Sequence, residues 1–214
     1  MRELRFTLIA DGSSDATLMR IIQWSMDDLY PNCINTGVFA DFRSLQKPPK
    51  NLKDKIRDAY HYYPFDILFV HRDAESTDTK QILDFRVVEV MKQLSDEEKE
   101  KTVCVVPVKM MEAWLLFNTE AIKKAAGNRN YNKNINLPSI NKIEKEKQPK
   151  ELLHNLLKEV SGLKGRNLQK FNVNQAVHLV AEYIEDFSPL RNLEAFNRFE
   201  EDLKITISNF LEKR

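Results

Sequence analysis

The chain has few of the residues on which several common chemistries depend. It holds two cysteines, Cys33 and Cys104, in 214 residues. They have no metal-like spacing, and two thiols do not make a disulfide scaffold. Five glycines are too few for a glycine-rich phosphate loop, and no Walker-type motif is present. The four histidines, His61, His71, His154 and His178, are scattered and lack the paired spacing of a zinc site. Ser13 and Ser14 lack the flanking glycines of a nucleophile elbow. "HRD" at 71–73 resembles a kinase catalytic loop, but neither a glycine-rich loop nor "DFG" accompanies it. No apolar run is long enough to span a bilayer, and the amino terminus is too short in apolar residues for a signal peptide. These absences describe a cytoplasmic protein with no membrane association.

Net charge is also nearly absent, at +1. The local balance is uneven. Residues 127–171 carry ten Lys or Arg against four Asp or Glu, a surplus of six positive charges that can attract an anion or simply solvate a helical surface. What is abundant is apolar sequence, at 42%, beside 30% charged residues, enough to bury a core.

Apolar runs at 4–10, 65–70 and 101–108 read as strands, and "CINTGVFADF" as a further strand and turn. The near-continuous apolar character of "FDILFV" and "KTVCVVPV" predicts burial on both faces. Between them, helical spacing predicts helices at 16–29, with Ser13 or Ser14 as cap, and at 51–62 and 78–94. Short helices follow at "MMEAWLLF" and "NTEAIKKAAG". Strands alternating with helices predict an α/β fold around a mostly parallel sheet over residues 1–126. Residues 128–150 read as a long polar loop, mobile or ligand-facing. Three helical patterns, at 150–160, 174–185 and 193–212, complete a basic loop and helical appendage over residues 127–214, packed on that core.

Parallel sheets place ligands at the carboxyl ends of their strands. Three strand ends here carry acids: Asp11 and Asp15 after the first, Asp73 and Glu75 after "ILFVHR", and Glu112 after "VCVVPVKMM". If those strands are neighbours, five carboxylates converge. Such a cluster needs a cation, and hard oxygen donors favour Mg²⁺ or Mn²⁺. Two ions so held suit phosphodiester cleavage. Taken singly, "DGSSD" reads better as an Asp-Gly turn with Asp and Ser caps, and Asp73 and Glu75 are equally helix caps. Glu112 is harder to explain that way, because it interrupts an apolar stretch. With side chains alternating along the strand, Arg72 should point opposite to Asp73, as a structural ion-pair partner. Trp24 and Trp114 read as core residues.

The order of these motifs resembles toprim domains, found in topoisomerases, bacterial primases and OLD-family nucleases. "LIADGSSDATLMRII" is similar to their first motif and "FVHRDAE" to their second. "PVKMMEAWLLF", "QPKELLHNLL" and "FNRFEEDL" are similar to segments of small stand-alone bacterial toprim-like proteins. The chain departs from the pattern in two places that keep the charge. Asp11 stands where Glu is usual, and Asp73-Ala74-Glu75 where Asp-x-Asp is usual. The resemblance implies a Rossmann-like toprim fold and a Mg²⁺- or Mn²⁺-dependent nuclease acting on DNA or RNA, with a role in anti-phage defence. By position it implies Asp11 as metal ligand and general base, and Asp15, Asp73, Glu75 and Glu112 as further metal ligands. It also implies Lys150, Lys164 or Arg166 as the positive charge for a phosphate in the transition state. Two alternatives stand beside this: a non-catalytic partner of a defence or toxin–antitoxin ATPase, and a phosphate- or nucleotide-binding domain without metal. Each is compatible with an oligomer.

Overall fold

The structure is a computed structural model that describes residues 2–74 and 79–213, with the backbone alone at 79–83. Four strands, β1 (Arg2–Ile9), β2 (Cys33–Phe39), β3 (Ile67–His71) and β4 (Thr102–Val105), form one sheet in the order β2-β1-β3-β4. All three pairings are parallel, with Phe6 beside both Gly37 and Ile67, and His71 beside Val105. The fold is therefore α/β with a wholly parallel central sheet and helices filling its connections and carboxy-terminal third. Every residue of β3 and β4 is buried, as their apolar runs predict. β2 lies at an edge and alternates between half-buried and exposed.

β4 is shorter than its apolar run. Pro107 cannot donate to a ladder, so the strand pattern stops before it. The backbone nevertheless keeps its course: Arg72 N–H donates to Val105 O and Ala74 N–H to Pro107 O. This extension carries Asp73 beyond the sheet in a fixed path. One close approach sets the packing under β2. A Cβ on Gly37 would stand 2.1 Å from Phe6 Cζ and 2.7 Å from Met19 Cε, so only glycine lets Phe6 lie there.

The helices are α1 (Leu18–Leu29), α2 (Leu52–Tyr62), α3 (Thr79–Met91), α4 (Asp96–Lys99), α5 (Thr119–Ala125), α6 (Pro149–Ser161), α7 (Gly165–Gln169), α8 (Val173–Tyr183) and α9 (Glu194–Glu212). The helix expected from residue 78 is described from Thr79. The expected serine cap of the first helix is not what forms. The Asp15 carboxylate accepts from Gly12 N–H at 2.9 Å, and Thr17 Oγ1 donates to Ser14 O. These bonds tighten residues Ser13–Thr17 into a 3₁₀ turn, and α1 begins after it. Asn51 and Asn118 cap α2 and α5 by accepting the backbone N–H of the residue three positions on, Asp54 and Ala121, as side-chain caps do.

Residues 128–147 differ from a free polar loop. They contain a 3₁₀ turn, Ile140–Lys145, whose Ile143 is fully buried. The Glu144 carboxylate accepts from the N–H groups of Glu194 and Ala195, capping α9. α5, α6 and α8 pack on one another, α8 reaches the Ser13–Thr17 turn, and α9 lies against β4. Trp114 is fully buried edge-on to Phe196, and Phe199 joins it to Phe69 of β3. Residues on both sides of 126/127 thus belong to one buried cluster. Arg191 fastens this layer: its guanidinium donates to both oxygens of buried Glu200, pairs with Asp28 and lies over the Trp24 ring. Among the described residues, no helix is long and apolar enough to cross a membrane.

Candidate functional site

The strand order locates a crevice. From β1 the chain crosses to β2 on one side, and from β3 it crosses to β4 on the other. The carboxyl ends of β1 and β3 therefore flank the point where the connections part, the usual ligand position of open parallel sheets. The condition set by the sequence is met: β1, β3 and β4 are neighbours, and their ends deliver Asp11 and Asp15, Asp73, and Glu112 to one end of the sheet.

Asp11 is half exposed and already neutralised. Its carboxylate lies 3.3 Å from Lys55 Nζ and 3.1 Å from the Arg72 guanidinium. Lys55 also donates to Ala10 O, which anchors it to the end of β1. Arg72 continues to Glu89, and Glu89 to Arg86, giving a chain of alternating charges along this side of the crevice. Arg72 is thus an ion-pair partner turned away from Asp73, as strand alternation predicts.

Asp73 faces the other way, toward His71. The ring is fully buried as the last residue of β3. Its Nδ1 lies 2.9 Å from Val105 O. A carbonyl oxygen only accepts, so Nδ1 carries a proton. Nε2 stands 3.3 Å from Asp73 Oδ1. Burial pulls the His71 pKa down, but Asp73, the negative charge of Asp15 and the Val105 carbonyl outweigh it and leave the pKa raised. Asp73 Oδ1 is itself buried and has no well-formed hydrogen bond. Sequence reasoning assigned His71 no role. The signal was available: a histidine ending a wholly apolar strand, two residues before an acid, lies on the acid's side.

Glu112 sits in the 3₁₀ turn Met111–Leu115, with its side chain 5% exposed. Burial raises its pKa. A backbone hydrogen bond and Lys150, whose Nζ lies 3.5 Å away, oppose that rise, whereas the charge of Asp73 adds to it. Asp15, His71, Asp73, Glu112 and Lys150 therefore share one electrostatic neighbourhood, and Asp11 belongs to the Lys55–Arg72 side. Glu75 lies outside the described residues. Lys164 and Arg166 flank the start of the short α7, exposed, and make no ion pair with these acids among the described residues.

Among the described residues, no group of three or more His, Cys, Asp or Glu side chains is arranged to hold a metal ion. The donor chemistry still fits a hard divalent cation in one respect. Asp73 Oδ1 is buried and makes no well-formed hydrogen bond, but His71 Nε2 lies 3.3 Å from it, so a cation bound there would compete with that ring. Asp11 fits less well, because two cations already occupy its charge.

No protein-family model, curated protein or solved structure matches the chain. What the fold and its strand ends define is a Rossmann-like α/β protein with an acidic crevice.

Proposed function

We propose that the chain is a Mg²⁺- or Mn²⁺-dependent phosphodiesterase of toprim type that cleaves nucleic acid. The observation that carries this reading is the delivery of Asp15, Asp73 and Glu112 to one end of the sheet, where the charge of Asp15 is felt at His71 and that of Asp73 at Glu112. Asp73 would hold the cation, with Glu112, Asp15 and Glu75 completing the donor set. A divalent ion there supplies Lewis acidity to a phosphoryl oxygen. The chain's own groups prepare that position. His71, pinned through Nδ1, orients Asp73 and offsets its charge. Lys150, adjacent to Glu112, offers positive charge to a phosphate. The free thiols of Cys33 and Cys104 suit the reducing cytoplasm. A role in anti-phage defence is part of this proposal and rests on the resemblance of the motifs.

The experiment is plasmid nicking and RNA degradation by the purified chain with Mn²⁺ or Mg²⁺. Cleavage is expected with wild type, and it should vanish with chelator and in Asp73→Ala. Equal cleavage by Asp73→Ala, or none by wild type, refutes the assignment.

One observation favours a second reading. Asp11, the acid matching the family's metal ligand and general base, is committed to Lys55 and Arg72. A non-catalytic subunit beside an ATPase needs no free acid at that position. Capture of an ATPase by the tagged chain, with no cleavage by the chain alone, would support it. Metal-dependent cleavage by the isolated chain would exclude it.

A further inference from the structure

Next to Glu112 the surface opens into a groove of about 570 Å³ along one face of α6. Its charged lining comprises Lys109, Lys147, Lys150, Lys158, His154 and a single acid, Glu151. The positions follow the helix period. Lys150, His154 and Lys158 succeed one another at four-residue steps, so one stripe runs along the helix with a lysine at each end and an imidazole between them. At 1.5 Å per residue, Lys150 to Lys158 spans about 12 Å. A stacked nucleic-acid strand carries a phosphate about every 3.4 Å of helix axis, so the lysines at the two ends of the stripe stand about three to four phosphate steps apart.

Two further features mark the groove. Burial lowers the His154 pKa, and the positive charges of Lys150 and Lys158 lower it further, so the imidazole favours its neutral form and the charge of the stripe rests on the lysines at its ends. Lys109, which lines the groove from outside α6, holds a left-handed backbone at φ 63°, which a non-glycine residue adopts only under strain. The chain tolerates that strain where Lys109 joins the wall of the groove. Lys150 belongs to both features, since its Nζ lies 3.5 Å from Glu112. Through Lys150 the groove therefore adjoins Glu112.

The geometry points to this groove as the channel that holds the phosphodiester backbone of a nucleic-acid strand and delivers it to Glu112 and Asp73. The inference rests on the nuclease reading and names how its substrate is held. The periodic stripe decides between a strand and a mononucleotide, because one phosphate can engage only one end of it.

The test is fluorescence anisotropy of a labelled oligonucleotide in chelator, where nothing is cleaved. Arms of single-stranded DNA, single-stranded RNA and duplex DNA of equal length identify the source of the backbone. Neutralising four phosphates of a single strand gives a slope of about −2.8 in log K against log salt. Wild-type affinity should then fall about 50-fold between about 50 and 200 mM salt, whereas the double variant Lys147→Ala/Lys158→Ala, with two contacts left, should lose about 7-fold. Both lysines are exposed, so the variant should keep the wild-type circular dichroism. The channel is wrong if the double variant matches wild type in affinity and salt slope, if wild type binds no arm, or if a mononucleotide binds as tightly as the strand. Binding without cleavage in Mn²⁺ leaves the channel standing and refutes the nuclease reading. Cleavage that survives the double variant with an unchanged KM refutes the channel alone.

Discussion

Substituting Lys150 by Met keeps an unbranched side chain at this position of α6 and removes the charge facing Glu112. The pair is 3.5 Å apart, with the lysine side chain 48% exposed and the glutamate 5% exposed. At an effective dielectric of about 20, Coulomb's law gives about 4.7 kcal/mol for that separation. Water reaches the lysine, and exposed pairs deliver at most about 1 kcal/mol, so a half-exposed pair should retain about 1–2 kcal/mol. For a chain of this length the melting temperature should fall by about 2–8 °C near neutral pH. The pH dependence follows from the raised Glu112 pKa. A carboxyl whose folded pKa lies above its unfolded value adds stability below the unfolded pKa, and this is lost as pH rises through the folded pKa. Lys150 opposes that loss by favouring the carboxylate. Its removal should therefore cost little at about pH 4, where Glu112 is protonated, and the full amount at about pH 7.5. Urea unfolding followed by the fluorescence of buried Trp114 measures both. In a Glu112→Gln background the Lys150→Met cost should disappear, and Mn²⁺ should stabilise Lys150→Met more than it stabilises wild type if an ion takes over the partnership. An equal cost at both pH values, or a cost unchanged by Glu112→Gln, refutes the pairing.

Arg191→Ala should destabilise the fold by about 3 kcal/mol, because Glu200 is left buried and unpaired. The melting temperature should drop by about 6–12 °C, and a loss below about 1 kcal/mol contradicts the clamp. Gly37→Ala should cost about 1–3 kcal/mol by forcing Phe6 off its position, with partial recovery when Phe6→Leu is added. Urea midpoints of the single and double variants check this, and an undisturbed Gly37→Ala midpoint counts against the close approach.

Much of the fold is legible in the sequence because its signals are local. The apolar runs of β3 and β4 state their own burial, and the helical spacing that starts at Asn51 states where α2 begins. The points that were not legible are those where two distant segments meet. Nothing within "DGSSD" shows that the Asp15 carboxylate turns back to the Gly12 amide and displaces a serine cap. Nothing within 128–147 shows that Glu144 caps α9, some fifty residues on, and so ties a polar segment to the core. His71 was readable in principle by alternation, but its partner Val105 O comes from a neighbouring strand.

By itself the sequence determined the chemistry at the strand ends: acids after three strands, and a basic surplus in 127–171. Residue types and their order along the chain suffice for that, since strand length and alternation decide where each side chain leaves the sheet. Tertiary structure alone decided how those charges are shared. Helix α2 brings Lys55 to Asp11, α6 brings Lys150 to Glu112, and β4 offers a carbonyl to His71. A charge acts through its distance to other charges. Those distances come from the strand order β2-β1-β3-β4 and the docking of α6, and they turn a row of equivalent acids into a paired Asp11, a His71-facing Asp73 and a buried Glu112 at the head of a lysine groove.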